Sequence, residues 1–203
     1  GGTTSGTNAG SYVATFTPKE GYEWADGTKT AKSVTWTISK ASLSVPAQSG
    51  TLTYNGGSQS PTWNNYSTTQ LTIGGTTSGT NAGSYTATFT PKSNYRWADG
   101  TTTAKSVRWS IGKAAGSLSI SPTSMTLDTT TKSKTITVTR SGDGTISAVS
   151  SNTAAATVSV SGNTVTVSGK ANGSATITIS VAAGTNYTAP ASKTCAVTVS
   201  FLK

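Results

Sequence analysis

The sequence contains no histidine, one cysteine (Cys195), one methionine (Met125) and six carboxylates in 203 residues. Without imidazole there is no Ser-His-Asp triad and no histidine metal site, and a single thiol builds neither a zinc cluster nor an internal disulfide. Paired-carboxylate catalysis would have to draw on Glu20, Glu23, Asp26, Asp99, Asp128 and Asp143 alone. Charge is scarce as well. Asp, Glu, Lys and Arg make up 10% of the chain, against about a quarter of a soluble domain. No stretch approaches the ~18 apolar residues of a membrane span. These exclusions point away from an enzyme, and no feature calls for a cofactor or a metal.

What is abundant is hydroxyl: 43 Thr and 31 Ser, more than a third of the chain, with 22 Gly. Leu, Ile, Val and Phe together number only 30, a scarcity shared with disordered chains. Thr is β-branched, however, and suits a pleated strand as well as a solvated tail. Pattern separates the two, because a sheet with one buried face must alternate. The chain does alternate.

Repetition decides the organisation. Residues 1–41 recur at 74–114 with 33 of 41 positions identical. The full unit reads as 42–114, so the opening copy corresponds to the later part of a truncated unit and Gly1 falls inside it. The chain is expected to be a piece of something longer. In Ser11–Thr17 the inward set is Tyr12, Ala14 and Phe16; in Ser33–Ser39 it is Val34, Trp36 and Ile38. Four of the eight differences (Val13/Thr86, Thr35/Arg108, Thr37/Ser110, Ser39/Gly112) fall on the outward faces. The other four (Glu20/Ser93, Gly21/Asn94, Glu23/Arg96, Lys29/Thr102) fall in the connection around Trp-Ala-Asp-Gly. None touches an inward residue, as a half-buried sheet requires.

Residues 115–203 differ in sequence but keep the style. Ile136 and Val138 oppose Thr135, Thr137 and Thr139. Val158–Val167 reads as a hairpin around Ser161-Gly162-Asn163, and Ala175–Val181 and Cys195–Phe201 read as two further strands. Cys195 falls on the apolar face of its strand, the place of a buried thiol. Strands at this spacing predict an all-β chain of sandwiches without a long helix, and the short Ser-Lys-Ala and Gly-Lys-Ala joints predict a semi-extended array.

The segments Leu118–Leu127, Ser150–Val158 and Gly173–Ile179 resemble the bacterial immunoglobulin-like (Ig-like) domain, group 2, which implies that the sandwiches are tandem Ig-like β-sandwiches. That family carries a Ser-Pro first strand, a Trp-Ser-Ser-Ser-Asn-x-x-Val-Ala-Thr-Val stretch and Gly-x-Ala-x-Ile. Here the Trp position is Ala148 and the usual Val is Ala155. The 73-residue unit is similar to a second class of small bacterial Ig-like repeats, through Tyr54-Asn55-Gly56, Ala82-Gly83-Ser84-Tyr85 and the following Asn94-Tyr95. The expected division is 1–41, the C-terminal part of a truncated Ig-like repeat; 42–114, a complete repeat; and 115–203, a group 2 domain. The resemblance implies a non-enzymatic display module. It points first to the C-terminal, tail or capsid-attached region of a phage virion protein, exposed on the virion and adhering weakly and multivalently to a host-surface glycan or protein. A stalk or adhesin repeat of a bacterial cell-surface protein, or an accessory module of a secreted carbohydrate-active enzyme, are the alternatives.

Aromatics are the concentrated binding signal. Trp24 and Trp97, with Tyr22 and Tyr95, stand beside an Ala-Asp-Gly turn, either as a sugar-stacking platform or as the lid of a thin sandwich. Trp63 and Tyr66 are the second pair of binding candidates. Trp36 and Trp109 read as core. Asp26-Gly27 and Asp99-Gly100 read as turns. The net charge of +9 is carried by scattered bases, among them Lys92, Arg96, Lys105, Arg108 and Lys113. Nucleic acid would prefer a stripe, so no nucleic-acid partner is expected.

Overall fold

The computed structural model describes residues 1–201, with Leu202 and Lys203 outside the description. It is all-β: no helix occurs among the described residues. The strands are β1 (Gly10–Phe16), β2 (Lys32–Ile38), β3 (Ala41–Leu43), β4 (Ala47–Ser49), β5 (Leu52–Thr53), β6 (Thr62–Asn64), β7 (Leu71–Gly75), β8 (Gly83–Pro91) and β9 (Tyr95–Trp97). They continue with β10 (Lys105–Gly112), β11 (Ser117–Ser121), β12 (Ser124–Asp128), β13 (Ser133–Ser141), β14 (Ile146–Ser150), β15 (Ala156–Ser161), β16 (Thr164–Gly169), β17 (Gly173–Val181) and β18 (Lys193–Ser200).

The chain divides into two compact units that interleave in sequence. The first holds Gly1–Gly50, Ser60–Ser78 and Tyr85–Trp109; the second holds Thr51–Gln59, Gly79–Ser84 and the chain from Ser110 onward.

In the second unit, two four-stranded sheets run in the orders β11-β13-β16-β15 and β12-β18-β17-β14. β12 lies parallel to β18, and the other pairs are antiparallel. This is the A-B-E-D and A′-G-F-C arrangement of an Ig-like sandwich. Its inward residues form one cluster, with Leu118, Ile136, Val138, Val165 and Val167 from one sheet and Leu127, Ile177, Ile179, Cys195, Val197 and Val199 from the other. Alternation explains how so few apolar residues suffice: Thr135, Thr137 and Thr139 point outward while Ile136 and Val138 are at most 2% exposed. The hairpin forms where the sequence predicts it, with Ser161 opposite Thr164 and Gly162 at φ 55°. Ala155 and Ala156 are buried, and Ala148 packs at the core margin.

In the first unit, β7, β8 and β10 lie side by side in the order β10-β8-β7, β3 pairs in parallel with β9, and β4 pairs with β6. Ala87, Phe89, Trp97 and Trp109 form the buried interior together with Leu71. β1 and β2 pair antiparallel, Tyr12 opposite Trp36 and Ala14 opposite Val34. Tyr12 stacks on Trp36 at 4.6 Å and 22°, and Tyr85 on Trp109 at 4.5 Å and 21°. The predicted inward face holds in the second copy. In the first copy Phe16 and Val34 are more than half exposed.

Candidate binding surface and repeat junctions

The sequence Trp-Ala-Asp-Gly-Thr builds the same turn twice. Asp99 Oδ1 accepts from the Thr101 amide at 2.9 Å and from its hydroxyl at 2.7 Å, and Lys105 donates to Oδ2. Asp26 is held likewise by Thr28 and Lys32. The carboxylates are therefore occupied as local caps of the turn. The Lys32 ammonium, then the Thr28 donors, bring Asp26 down from 3.8 to about 2. Lys105 and Thr101 hold Asp99 lower still. The ammonium groups stand 5.3 Å (Lys32) and 5.6 Å (Lys105) from the centroids of Trp24 and Trp97, within cation–π range. Each indole donates to a carbonyl six residues on, Trp24 to Thr30 and Trp97 to Thr103, both at 2.8 Å.

Burial separates the six aromatic candidates. Trp97 is 0% exposed, so neither face of its ring is open to a sugar. Tyr95 is half-buried in β9, beside Ala41 of β3. Tyr22 is 71% exposed and Trp24 half-buried, so the corresponding pair in the first copy does reach solvent. Trp63 and Tyr66 come together on Phe89, edge-on at 4.9 and 5.4 Å. Tyr66 also lines a groove of about 300 Å³ with Ser42, Leu43, Asn65, Ser67 and Gln70. Among the described residues no three His, Cys, Asp or Glu side chains come together in a way that could hold a metal ion. Cys195 is buried, and desolvation raises its thiol.

A second arrangement escaped sequence reading. Asn94 reaches back to the first copy: its Oδ1 accepts from the Ala9 amide at 2.9 Å, its Nδ2 donates to Asn8 Oδ1 at 2.8 Å, and its carbonyl accepts from the Ala41 amide at 2.9 Å. Asn186 does the same one step along. Its Oδ1 accepts from the Ala82 amide at 2.8 Å, its Nδ2 donates to Asn81 Oδ1 at 3.2 Å, and its carbonyl accepts from the Ala114 amide at 2.9 Å. Asn8-Ala9 and Asn81-Ala82 are equivalent positions of the repeat, as are Ala41 and Ala114. The tyrosines that follow, Tyr95 and Tyr187, lie parallel to Ala41 and Ala114 respectively. Each clasp satisfies amides that would otherwise be orphaned in part-buried surroundings. Asp143 accepts from the Asn186 amide at 2.8 Å, which is the main cause holding its carboxyl below the usual range. The legible signal was Asn-Tyr at 94–95 and again at 186–187.

No protein-family model matches the chain, and no curated protein does. Among solved structures, the chain is similar to domains 4 and 5 of the S-layer protein SbsC, with 22% identity over 69% of this chain and 82% of that one and a TM-score of 0.36. A longer SbsC structure, residues 31–844, matches at 16% identity over 95% of this chain, which spans 35% of that one, with a TM-score of 0.39. The fibronectin(III)-like modules of Clostridium thermocellum CbhA match at 11% identity over 81% and 91% of the two chains, with a TM-score of 0.34. At TM-scores below 0.5 these likenesses transfer neither ligand nor activity; the strand order stands on its own as the mark of an Ig-like sandwich.

Proposed function

We propose that this chain is a non-enzymatic, structural display segment, in which Ig-like modules divided at about 41–42 and 114–115 are docked in series. The observation that carries the reading is the clasp used twice. Asn94 and Asn186 make the same three bonds to equivalent points of the preceding copy, although the residues around Asn186 belong to a segment of different sequence. Such a junction makes sense in a chain whose task is to hold modules in order. The hydroxyl-rich, sparsely charged exterior and the group 2 resemblance of 115–203 favour an extracellular setting, on a phage virion or a bacterial cell surface. Contact with a host-surface glycan or protein would then be weak for one chain and useful through multivalency. The Tyr66 groove, lined by hydroxyl and amide groups, and the exposed Tyr22 beside Trp24 are the surfaces offered to it.

Thermal unfolding of Asn94→Ala and Asn186→Ala chains tests the docking. Loss of about 1–2 kcal/mol, two hydrogen bonds at roughly 1 kcal/mol each, together with broader unfolding as neighbours uncouple, is the expected result. Unchanged midpoints and cooperativity in both variants would remove the basis of the proposal. Glycan-array binding by the whole chain, with Tyr66→Ala beside it, tests the contact surface. Absence of any signal from the wild type sinks that part alone.

A further inference from the structure

Asn-Gly occurs twice in the chain, at Asn55-Gly56 and at Asn172-Gly173, and the fold treats the two steps oppositely. Asn55 lies in the exposed turn that follows β5. Its Oδ1 accepts from the Gly57 amide, two residues on, at 2.9 Å, which folds the side-chain amide back over the Asn55–Gly56 peptide. Gly56 has φ 83°, and nothing beyond its chain neighbours lies within 4 Å of where a Cβ would stand. This turn is open to water. Asn172 is held from outside its own turn: its Oδ1 accepts from the Phe201 amide at 2.5 Å, 29 residues along the chain. Gly173 opens β17, paired with Val199, and a Cβ there would meet the Ala155 Cβ at 3.2 Å.

We propose that Asn55 is a site of spontaneous deamidation, a modification that recasts the Tyr54-Asn55-Gly56 turn as the protein ages, and that the native fold protects Asn172 from it. The Gly56 nitrogen gives up its proton to solvent base and attacks Asn55 Cγ. The N–Cγ bond forms, the Cγ–Nδ2 bond breaks, and the side-chain nitrogen takes up a proton and leaves as ammonia. Water then opens the five-membered imide at one of its two carbonyls, giving aspartate or its β-linked isomer. Glycine has no side chain to block the approach and reaches the backbone angles of ring closure without steric cost. The Gly57 amide already sits on the oxygen that gains negative charge as the nitrogen adds. At Asn172 the same closure must first pull Oδ1 off Phe201 and shift Gly173 against Val199, so it waits on local opening. The product brings a carboxylate into residues 41–91, which contain no Asp, Glu, Lys or Arg. Pairing also hems the turn. Tyr54 donates its amide to Gly112 at 2.9 Å and stands edge-on to Tyr187 at 5.4 Å, and Gln59 exchanges amide bonds with Gly79. The β-linked isomer inserts an extra methylene into the main chain between these fixed points and displaces one of them.

The test is peptide mapping by mass spectrometry after the whole chain is incubated at mildly alkaline pH, with the same incubation in urea beside it. In the native protein Asn55 should convert about tenfold faster than Asn172 or more, since giving up one hydrogen bond slows a rate by about that factor. In urea both sites are the same Asn-Gly step in an open chain, and their rates should come together. The net charge of +9 falls by one in the product, so ion exchange separates it. In the β-linked fraction the amide of Tyr54 or of Gln59 should lose its protection from exchange. The comparison is between two sites of one unaltered chain, so no variant has to fold. Equal native rates, conversion of Asn172 ahead of Asn55, or an Asn55 that stays intact in the native chain overturns the proposal. A preference for Asn55 that persists unchanged in urea overturns it too, because the fold is then not its cause.

Discussion

The same residue in two settings gives a controlled comparison: Phe89→Ala against Phe16→Ala. Phe89 is 0% exposed, flanked edge-on by Trp63 at 4.9 Å and Tyr66 at 5.4 Å. Truncating a fully buried Phe costs about 3–5 kcal/mol through lost transfer energy and the cavity left behind. The edge-on pairs, each worth about 0.5–1.5 kcal/mol beyond area, place Phe89→Ala toward the upper end. Phe16 is 51% exposed, so roughly half of the ~2–3 kcal/mol transfer term is at stake and no closed cavity forms. About 1 kcal/mol is expected there. Urea unfolding followed by backbone amide signals reads each copy separately, which a global signal from a multi-module chain does not. The midpoint of Ala87 and Trp109 should fall steeply in Phe89→Ala, with Trp63 and Tyr66 losing their fixed ring shifts. In Phe16→Ala the midpoint of Ala14 and Trp36 should move slightly. Equal losses, within about 0.5 kcal/mol, would refute the claim that Phe89 is packed under Trp63 and Tyr66 while Phe16 lies open.

Other expectations follow from the turns, the core and the charge. Because Asp26 and Asp99 are lowered by their lysine and threonine partners, the stability they contribute is complete above the unfolded carboxyl value. It is lost as the pH falls from about 4 toward about 2; acid unfolding of Asp99→Asn should show a shallower slope in that window, and an unchanged slope contradicts the assignment. Cys195, buried with a raised thiol, should resist thiol reagents in the native protein and react fully in denaturant; fast native labelling would show that the β17–β18 face opens. Any attraction of this chain (net charge +9) to anionic cell-surface polymers should weaken severalfold between ~0.05 and ~0.5 M salt, and salt-independent retention would point to stacking or apolar contact.

The sheet pattern was legible because alternation with period two is written in single residues. Ile136 and Val138 against Thr135, Thr137 and Thr139 need no partner to be read, and neither does the Ser161-Gly162-Asn163 turn. The exposure of Phe16 cannot be read from its own strand, since Phe16 and Phe89 sit in nearly identical local sequences; the Trp63 and Tyr66 rings that flank Phe89 come from the part of the unit that has no counterpart in residues 1–41. The aromatic pairs show the same limit. Tyr-x-Trp-Ala-Asp-Gly specifies a turn and an indole bond in both copies, yet long-range packing buries Trp97 and leaves Trp24 part-open. The clasp was hidden for a different reason. Asn94 replaces Gly21 inside a connection that reads as variable loop, and its role emerges only when a turn 85 residues away comes alongside.

The two asparagine clasps can be read atom by atom in the exchange rates of two amides. Ala9 and Ala82 donate to Asn94 Oδ1 and Asn186 Oδ1 at 2.9 and 2.8 Å, and both amides should exchange slowly in the wild-type chain. Asn94→Ala should release Ala9 while leaving Ala82 protected, and Asn186→Ala should release Ala82 while leaving Ala9 protected. Fast exchange at both amides in the unaltered protein would contradict the clasp and the display-array account built on it.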